Sequence, residues 1–114
     1  MEFVLQKSSG GSLLTITGEV TLNQIEEFKQ EISAALSQEE SLTVDLQRIT
    51  ALDLAGLQVL GAAHYSAVKQ NRELKVLGRD RDVYRQAVVD SGFTRHSSCS
   101  RREKGHDCLW VIDP

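Results

Sequence analysis

Apolar residues in the first part of the chain fall in short runs. Phe3-Val4-Leu5 is followed by a Ser/Gly cluster from Lys7 to Gly11 and then by Leu13-Leu14-Thr15-Ile16-Thr17. Two β-prone runs around turn residues predict a hairpin or meander, closed by Gly18. The period then changes. Ile25, Phe28, Ile32, Ala35 and Leu36 recur at helical spacing, with Glu26, Glu27, Lys29, Gln30 and Glu31 between them. This pattern predicts an amphipathic helix from about residue 22 to 37. Thr21 and Gln24 have the spacing of a capping box at its start. Leu42, Val44 and Leu46 next alternate with Thr43, Asp45 and Gln47, which is a strand with one buried face.

Residues 48–53 are read as the link to a second helix. Asp53 is suited to cap it, because its carboxylate can accept from the unpaired amides of the first turn and oppose the positive helix end. Gly56, Leu57, Leu60, Ala63, Ala67 and Val68 run along this helix, and its alanines allow close packing on a sheet. Leu74 to Leu77 is a short strand. Arg79 to Asp82 opens a third helix with Asp80 or Asp82 as its cap, and Gly92 ends that helix. A polar stretch, 94–107, reads as a loop, and Cys108 to Ile112 as a last strand. The order β-β-α-β-α-β-α-β implies crossover connections and an α/β fold. We expect a single domain over 1–114, with a four- to five-stranded mixed sheet. Its roughly three main helices lie mainly on one side, since the strands alternate in polarity instead of being wholly apolar.

Composition removes several function classes. Lys and Arg number 13 against 16 Asp and Glu, a net charge of −3, so no basic field favours nucleic acid. No apolar run approaches the roughly 20 residues of a membrane span, and Glu2 stands where a signal peptide carries positive charge. No direct membrane insertion is expected. Cys99 and Cys108 make no disulfide framework, which gives a cytoplasmic expectation with both thiols reduced. The chain has no Gly-rich phosphate loop ahead of Lys-Ser/Thr, no Gly-x-Ser-x-Gly, no Cys-x-x-Cys and no His-Glu-x-x-His. No catalytic residue and no cofactor are therefore assigned.

A few residues carry candidate chemistry. Asp45 has no acid–base partner spaced with it and is read as a polar residue on the strand's solvent face. His64 reads as a core-edge histidine, and Tyr65 and Tyr84 as cover for the sheet edges. His96, Cys99, His106 and Cys108 include the ligand types of a tetrahedral zinc site. Their spacing is not a standard finger pattern, so the competing reading is an inert loop. Arg101-Arg102-Glu103-Lys104 is a solvated face or a contact for an acidic partner.

Leu42-Thr-Val-Asp-Leu-Gln47, Ile49-Thr-Ala-Leu-Asp-Leu-Ala-Gly-Leu57 and Val59-Leu-Gly-Ala-Ala63 together resemble the STAS domain, the family of bacterial anti-sigma factor antagonists. The Gly18-Glu19 step, the strand at 74–77 and Val88-Val-Asp-Ser-Gly92 fall in the family's order, so the resemblance covers about residues 2–113. It implies a STAS-type α/β domain that acts by binding a protein. In antagonists of this type the residue after the aspartate is a Ser or Thr that a partner kinase phosphorylates. Here that position is Leu54, and Ala55 follows it. A leucine cannot be phosphorylated, so the resemblance transfers the docking surface and not the switch. The nearest hydroxyl, Thr50, lies three residues before Asp53.

The resemblance places partner binding at Gly18, Glu19, Asp53, Leu54, Ala55, Gly56, Leu57 and Gln58. It implies an anti-sigma or kinase-like regulator, a chemotaxis component or a transporter subunit as partner, with a homodimer as a further possibility. The alternative readings are a small-ligand or nucleotide sensor, and an accessory subunit in lipid transport.

Overall fold

The computed structural model describes residues 1–8, 10–38 and 40–91. Strands β1 (Glu2–Ser8) and β2 (Gly11–Val20) form an antiparallel hairpin. A 3-10 turn at Leu22–Gln24 leads into α1 (Ile25–Gln38), followed by β3 (Ser41–Leu52) and α2 (Leu54–Lys69). Strand β4 (Glu73–Leu77) and helix α3 (Asp82–Asp90) complete the described chain. The sheet order is β1-β2-β3-β4, with β2, β3 and β4 parallel. Among the described residues this is a four-stranded mixed sheet with three helices, within the four- to five-stranded α/β fold that the hydrophobic pattern predicts.

Both crossovers step across the sheet in the same direction, so right-handed connections put α1 and α2 on one face. The strand side chains agree. Leu14, Ile16, Leu42, Val44, Leu74 and Val76 are buried, while the alternating Leu13, Thr15, Thr43 and Asp45 are only half-buried. The helices supply Phe28, Ile32, Leu57, Leu60 and Val88 to the same core. Among the described residues no helix is long and apolar enough to cross a membrane.

Three local expectations are corrected. First, residues 48–52 are not a link: β3 continues through them, and β2 likewise runs past Gly18 to Val20. The strand's period breaks because β3 bulges against β2: Thr15 pairs with Asp45 but Thr17 pairs with Arg48. The next inward residue after Leu46 is therefore Ile49, three positions on. The Asp45 side chain accepts the Gln47 N–H at 2.9 Å within this bulge, a structural use of its carboxylate.

Second, neither Asp80 nor Asp82 caps α3. The N-cap is Arg81, with no side-chain cap bond, and Asp82 is the first helical residue. The Arg81 guanidinium is used elsewhere. β4 pairs only with Ser41 to Asp45, leaving the later carbonyls of β3 without a described strand on that side. Arg81 Nη1 donates to Gln47 O at 2.6 Å and Ile49 O at 2.9 Å. Gly78 lets the chain pass closely below: its φ is +96, and a Cβ there would lie 3.0 Å from the backbone of Leu46 and Gln47. Third, Tyr84 does not cover an edge: it is 1% exposed and belongs to the core. Tyr65 lies on the surface of α2 with Lys69 Nζ 5.2 Å from its ring centre, and His64 is buried.

The last strand expected at 108–112 and the loop at 94–107 lie outside the described residues. Removing the Arg81 side chain should destabilise the fold by about 1–3 kcal/mol, because its charge-assisted hydrogen bonds to the β3 carbonyls are lost. Urea denaturation of Arg81→Ala measures this. Lys75→Ala, which breaks an exposed ion pair with Glu73 at 3.5 Å, should change stability by less than about 1 kcal/mol.

Candidate functional site

The two segments singled out in the sequence, 18–19 and 53–58, meet at the carboxyl edge of the parallel strands. Glu19 pairs with Ala51 and Val20 with Leu52, so the chain leaves β2 and β3 side by side and enters a helix from each. Asp53 stands between these two helix starts in an extended conformation. Its Oδ1 accepts the Gly56 N–H at 3.2 Å and its Oδ2 accepts the Leu22 N–H at 2.9 Å. One carboxylate thus caps α2 and also ties down the first residue of the turn that precedes α1. The negative charge lies where both helix dipoles are positive.

At the α1 side, Gln24 closes the turn. Its Oε1 accepts from the Thr21 N–H at 3.1 Å and from the Thr21 hydroxyl at 2.7 Å. At the α2 side, Gly56 permits close packing: a Cβ there would lie 2.6 Å from Leu52 Cδ1 and 3.0 Å from the Val20 carbonyl oxygen. Gly56 and Leu57 are buried, Leu57 completely. These two positions support the tip from beneath and offer no surface of their own. Gly18 has φ +101, a backbone geometry that glycine adopts readily, and Glu19 is exposed.

The accessible tip is apolar at its centre. Leu54, the first residue of α2, is 44% exposed and is not covered by the described chain. Leu22 is 69% exposed and flanks the same carboxylate, to which its backbone N–H donates a hydrogen bond. Ala55 is half-buried and Gln58 exposed. The tip is also acidic. Residues 18–28 and 49–68 contain Glu19, Glu26, Glu27 and Asp53 but neither Lys nor Arg. Each Asp53 oxygen accepts one backbone amide, so the carboxylate links the two helix starts.

Sequence reading missed Leu22. The available signal was an apolar residue inside the capping box, one place ahead of the stripe that begins at Ile25. Thr50 is exposed near the end of β3. The four metal candidates His96, Cys99, His106 and Cys108 lie outside the described residues.

This arrangement, a mixed sheet with one helical face and a capped helix tip, has counterparts among known proteins. The family described as "Mlab, STAS domain" matches residues 3–95, and the chain belongs to this STAS family. No curated protein matches the chain. Among solved structures, an anti-sigma factor antagonist from Mycobacterium paratuberculosis is 21% identical, with a TM-score of 0.67, over 80% of this chain and 77% of that one. The unphosphorylated anti-sigma factor antagonist SpoIIAA is 18% identical, with a TM-score of 0.62, over 99% of this chain and 88% of that one. The STAS domain of an antisigma-factor antagonist from Rhodobacter sphaeroides is 18% identical, with a TM-score of 0.55, over 68% and 85%. The fold is that of an anti-sigma factor antagonist-like STAS domain.

Replacing Asp53 with Ala should cost about 1–3 kcal/mol, since each lost cap contributes on the order of 1 kcal/mol. Asn, with one acceptor oxygen, should recover part of the loss. Thermal unfolding of the two variants should rank them wild type, Asp53→Asn, Asp53→Ala in falling stability.

Proposed function

We propose that this chain is a non-enzymatic STAS interaction module of the cytoplasm that docks a protein partner through the tip of α2 without a Ser/Thr phosphorylation switch. The contact surface consists of Leu54, Ala55 and Gln58 around Asp53, with Gly18, Glu19 and Leu22 beside them. Gly56 and Leu57 hold this surface in place. The observation that carries the reading is an exposed leucine, Leu54, directly after the capping aspartate. It occupies the position where the family resemblance calls for a hydroxyl. A solvent-exposed leucine adds little to its own core, yet burying it against another protein is worth roughly 1.5–3 kcal/mol. Leu22 enlarges that apolar centre.

The partner class that fits is a regulator of the anti-sigma or kinase-like type, a chemotaxis component or a transporter subunit. In each case the contact is constitutive, because phosphate has no acceptor at position 54. A phosphate group elsewhere on the tip would add about −1.5 to −2 charges to a surface that already holds four carboxylates.

Leu54→Asp should weaken capture of the partner by about tenfold or more while shifting stability by less than about 0.5 kcal/mol, because the side chain is exposed. Quantitative pull-down and urea denaturation of the same variant check both halves, and unchanged capture overturns the docking reading. Incubation with a cognate kinase and ATP should leave the tip unmodified. Stoichiometric phosphate on Thr50 by mass spectrometry would overturn the absence of a switch.

A further inference from the structure

Among the described residues the large apolar side chain most open to solvent is Leu22, 69% exposed against 44% for Leu54. It stands on a turn, Leu22–Gln24, that contains no buried residue. The backbone beneath it is nevertheless fixed on both sides. Before the turn, Val20 is fully buried and pairs with Leu52; after it, Ile25 opens α1 and packs against the core. Thr21 and Gln24 close the turn with three hydrogen bonds: Gln24 N–H donates to Thr21 O at 2.9 Å, and Gln24 Oε1 accepts the Thr21 N–H at 3.1 Å and the Thr21 hydroxyl at 2.7 Å. Leu22's own N–H goes to Asp53 Oδ2.

Capping explains these bonds but not the leucine. The free amides at the start of a helix need acceptors whichever residue occupies position 22. The apolar contact that commonly fixes a helix start joins the residue before the cap to the fourth helical residue, here Val20 and Ile25. Leu22 holds neither place and is not among the side chains of the core. What remains is a rigid support under an exposed apolar side chain. We propose that Gln24 is a positioning residue for recognition, which holds Leu22 as a preformed second anchor for the protein that covers Leu54. The inference rests on the docking reading above and names the residue that fixes its second contact.

The physical gain is in ordering. A leucine on a loose loop must be immobilised when a partner closes on it, whereas the backbone of a fixed turn has already lost that freedom. Asp53 supplies the common reference. Its Oδ2 holds the Leu22 N–H, and Leu54 follows it directly in the chain, so the two anchors keep a set separation that one partner surface can match. Removing the Gln24 side chain takes away two of the three bonds of the turn and leaves Leu22, Leu54 and the carboxylates chemically unchanged.

The test puts a photo-crosslinking phenylalanine in place of Leu22 or of Leu54 in the full chain within its native cells. Both positions should join the same protein, and that protein, purified, is the binding probe. Gln24→Ala should weaken its affinity about three- to tenfold and Leu22→Ala about tenfold or more, while the double variant should bind no worse than Leu22→Ala alone. Gln24→Glu keeps an acceptor at the same place in the capping box and should return affinity to within about twofold of wild type at high salt, where its added charge is screened. Hydrogen exchange of the Leu22 amide should quicken in Gln24→Ala and stay slow in Gln24→Glu. If Gln24 acts on the fold alone, Gln24→Ala weakens binding equally with and without the Leu22 side chain, and that result overturns the proposal. So does unchanged affinity in Gln24→Ala. If position 54 joins a protein and position 22 does not, or joins a different one, the anchor fails and the tip reading stands. An adduct at 22 alone overturns the docking reading and the paired anchor with it, and adducts at neither position overturn both.

Discussion

The Asp53 carboxylate accepts backbone amides from Gly56 and from Leu22, a residue 31 positions earlier in the chain. The separation matters more than either bond alone. A capping aspartate ordinarily satisfies amides of its own helix, a local contribution of about 1 kcal/mol. Here the same group also fixes where the preceding crossover enters its helix, so the spacing of α1 and α2 at their starts depends on one side chain. Gly56 makes this possible by letting α2 approach Val20 and Leu52 without a Cβ in between. The exposed leucines on either side of the carboxylate take their positions from this arrangement.

The sheet beneath is built to face one way. Its parallel crossovers step in one direction, so the helices gather on a single face and the other face keeps Thr15, Thr43 and Asp45. The cost of this geometry appears at β3, which is longer than its neighbour β4. Carbonyls beyond the end of β4 are paired by the Arg81 guanidinium, and the bulge is steadied by the Asp45 carboxylate. Two charged side chains that could pass for surface decoration thus substitute for missing strand hydrogen bonds. The surface left for recognition is of the opposite kind: exposed apolar side chains stand among carboxylates, on two segments that contain neither Lys nor Arg.

The periodicity of the sequence is enough to recover the element order and the buried faces. Ile25, Phe28 and Ile32 can only share a helix face, and Leu42, Val44 and Leu46 can only share a strand face. The same reasoning stops at Gln47, because a bulge shifts the phase of a strand without any residue type announcing it. It misplaces the α3 cap for a related reason. Asp80 and Asp82 have the right chemistry, but the chain path set by Gly78 and by Arg81's reach to β3 starts the helix at Asp82. A tyrosine's polar end suits a sheet edge, yet Tyr84 is buried. Its burial follows from how α3 packs, which one helix's pattern does not contain.

For the site, the sequence alone determined the chemistry: an aspartate in capping position, a leucine without a hydroxyl after it, and an acidic neighbourhood lacking Lys and Arg. These are properties of residue identity and near spacing. Only the tertiary structure decided which residues share the surface. It withdrew Leu57 into the core and added Leu22 from a different crossover, while the pairing of β2 with β3 puts Glu19 beside the tip, where the resemblance had already grouped it. Such choices rest on contacts between segments 31 or so residues apart, as Leu22 is from Asp53, and no local pattern encodes the register that brings them together.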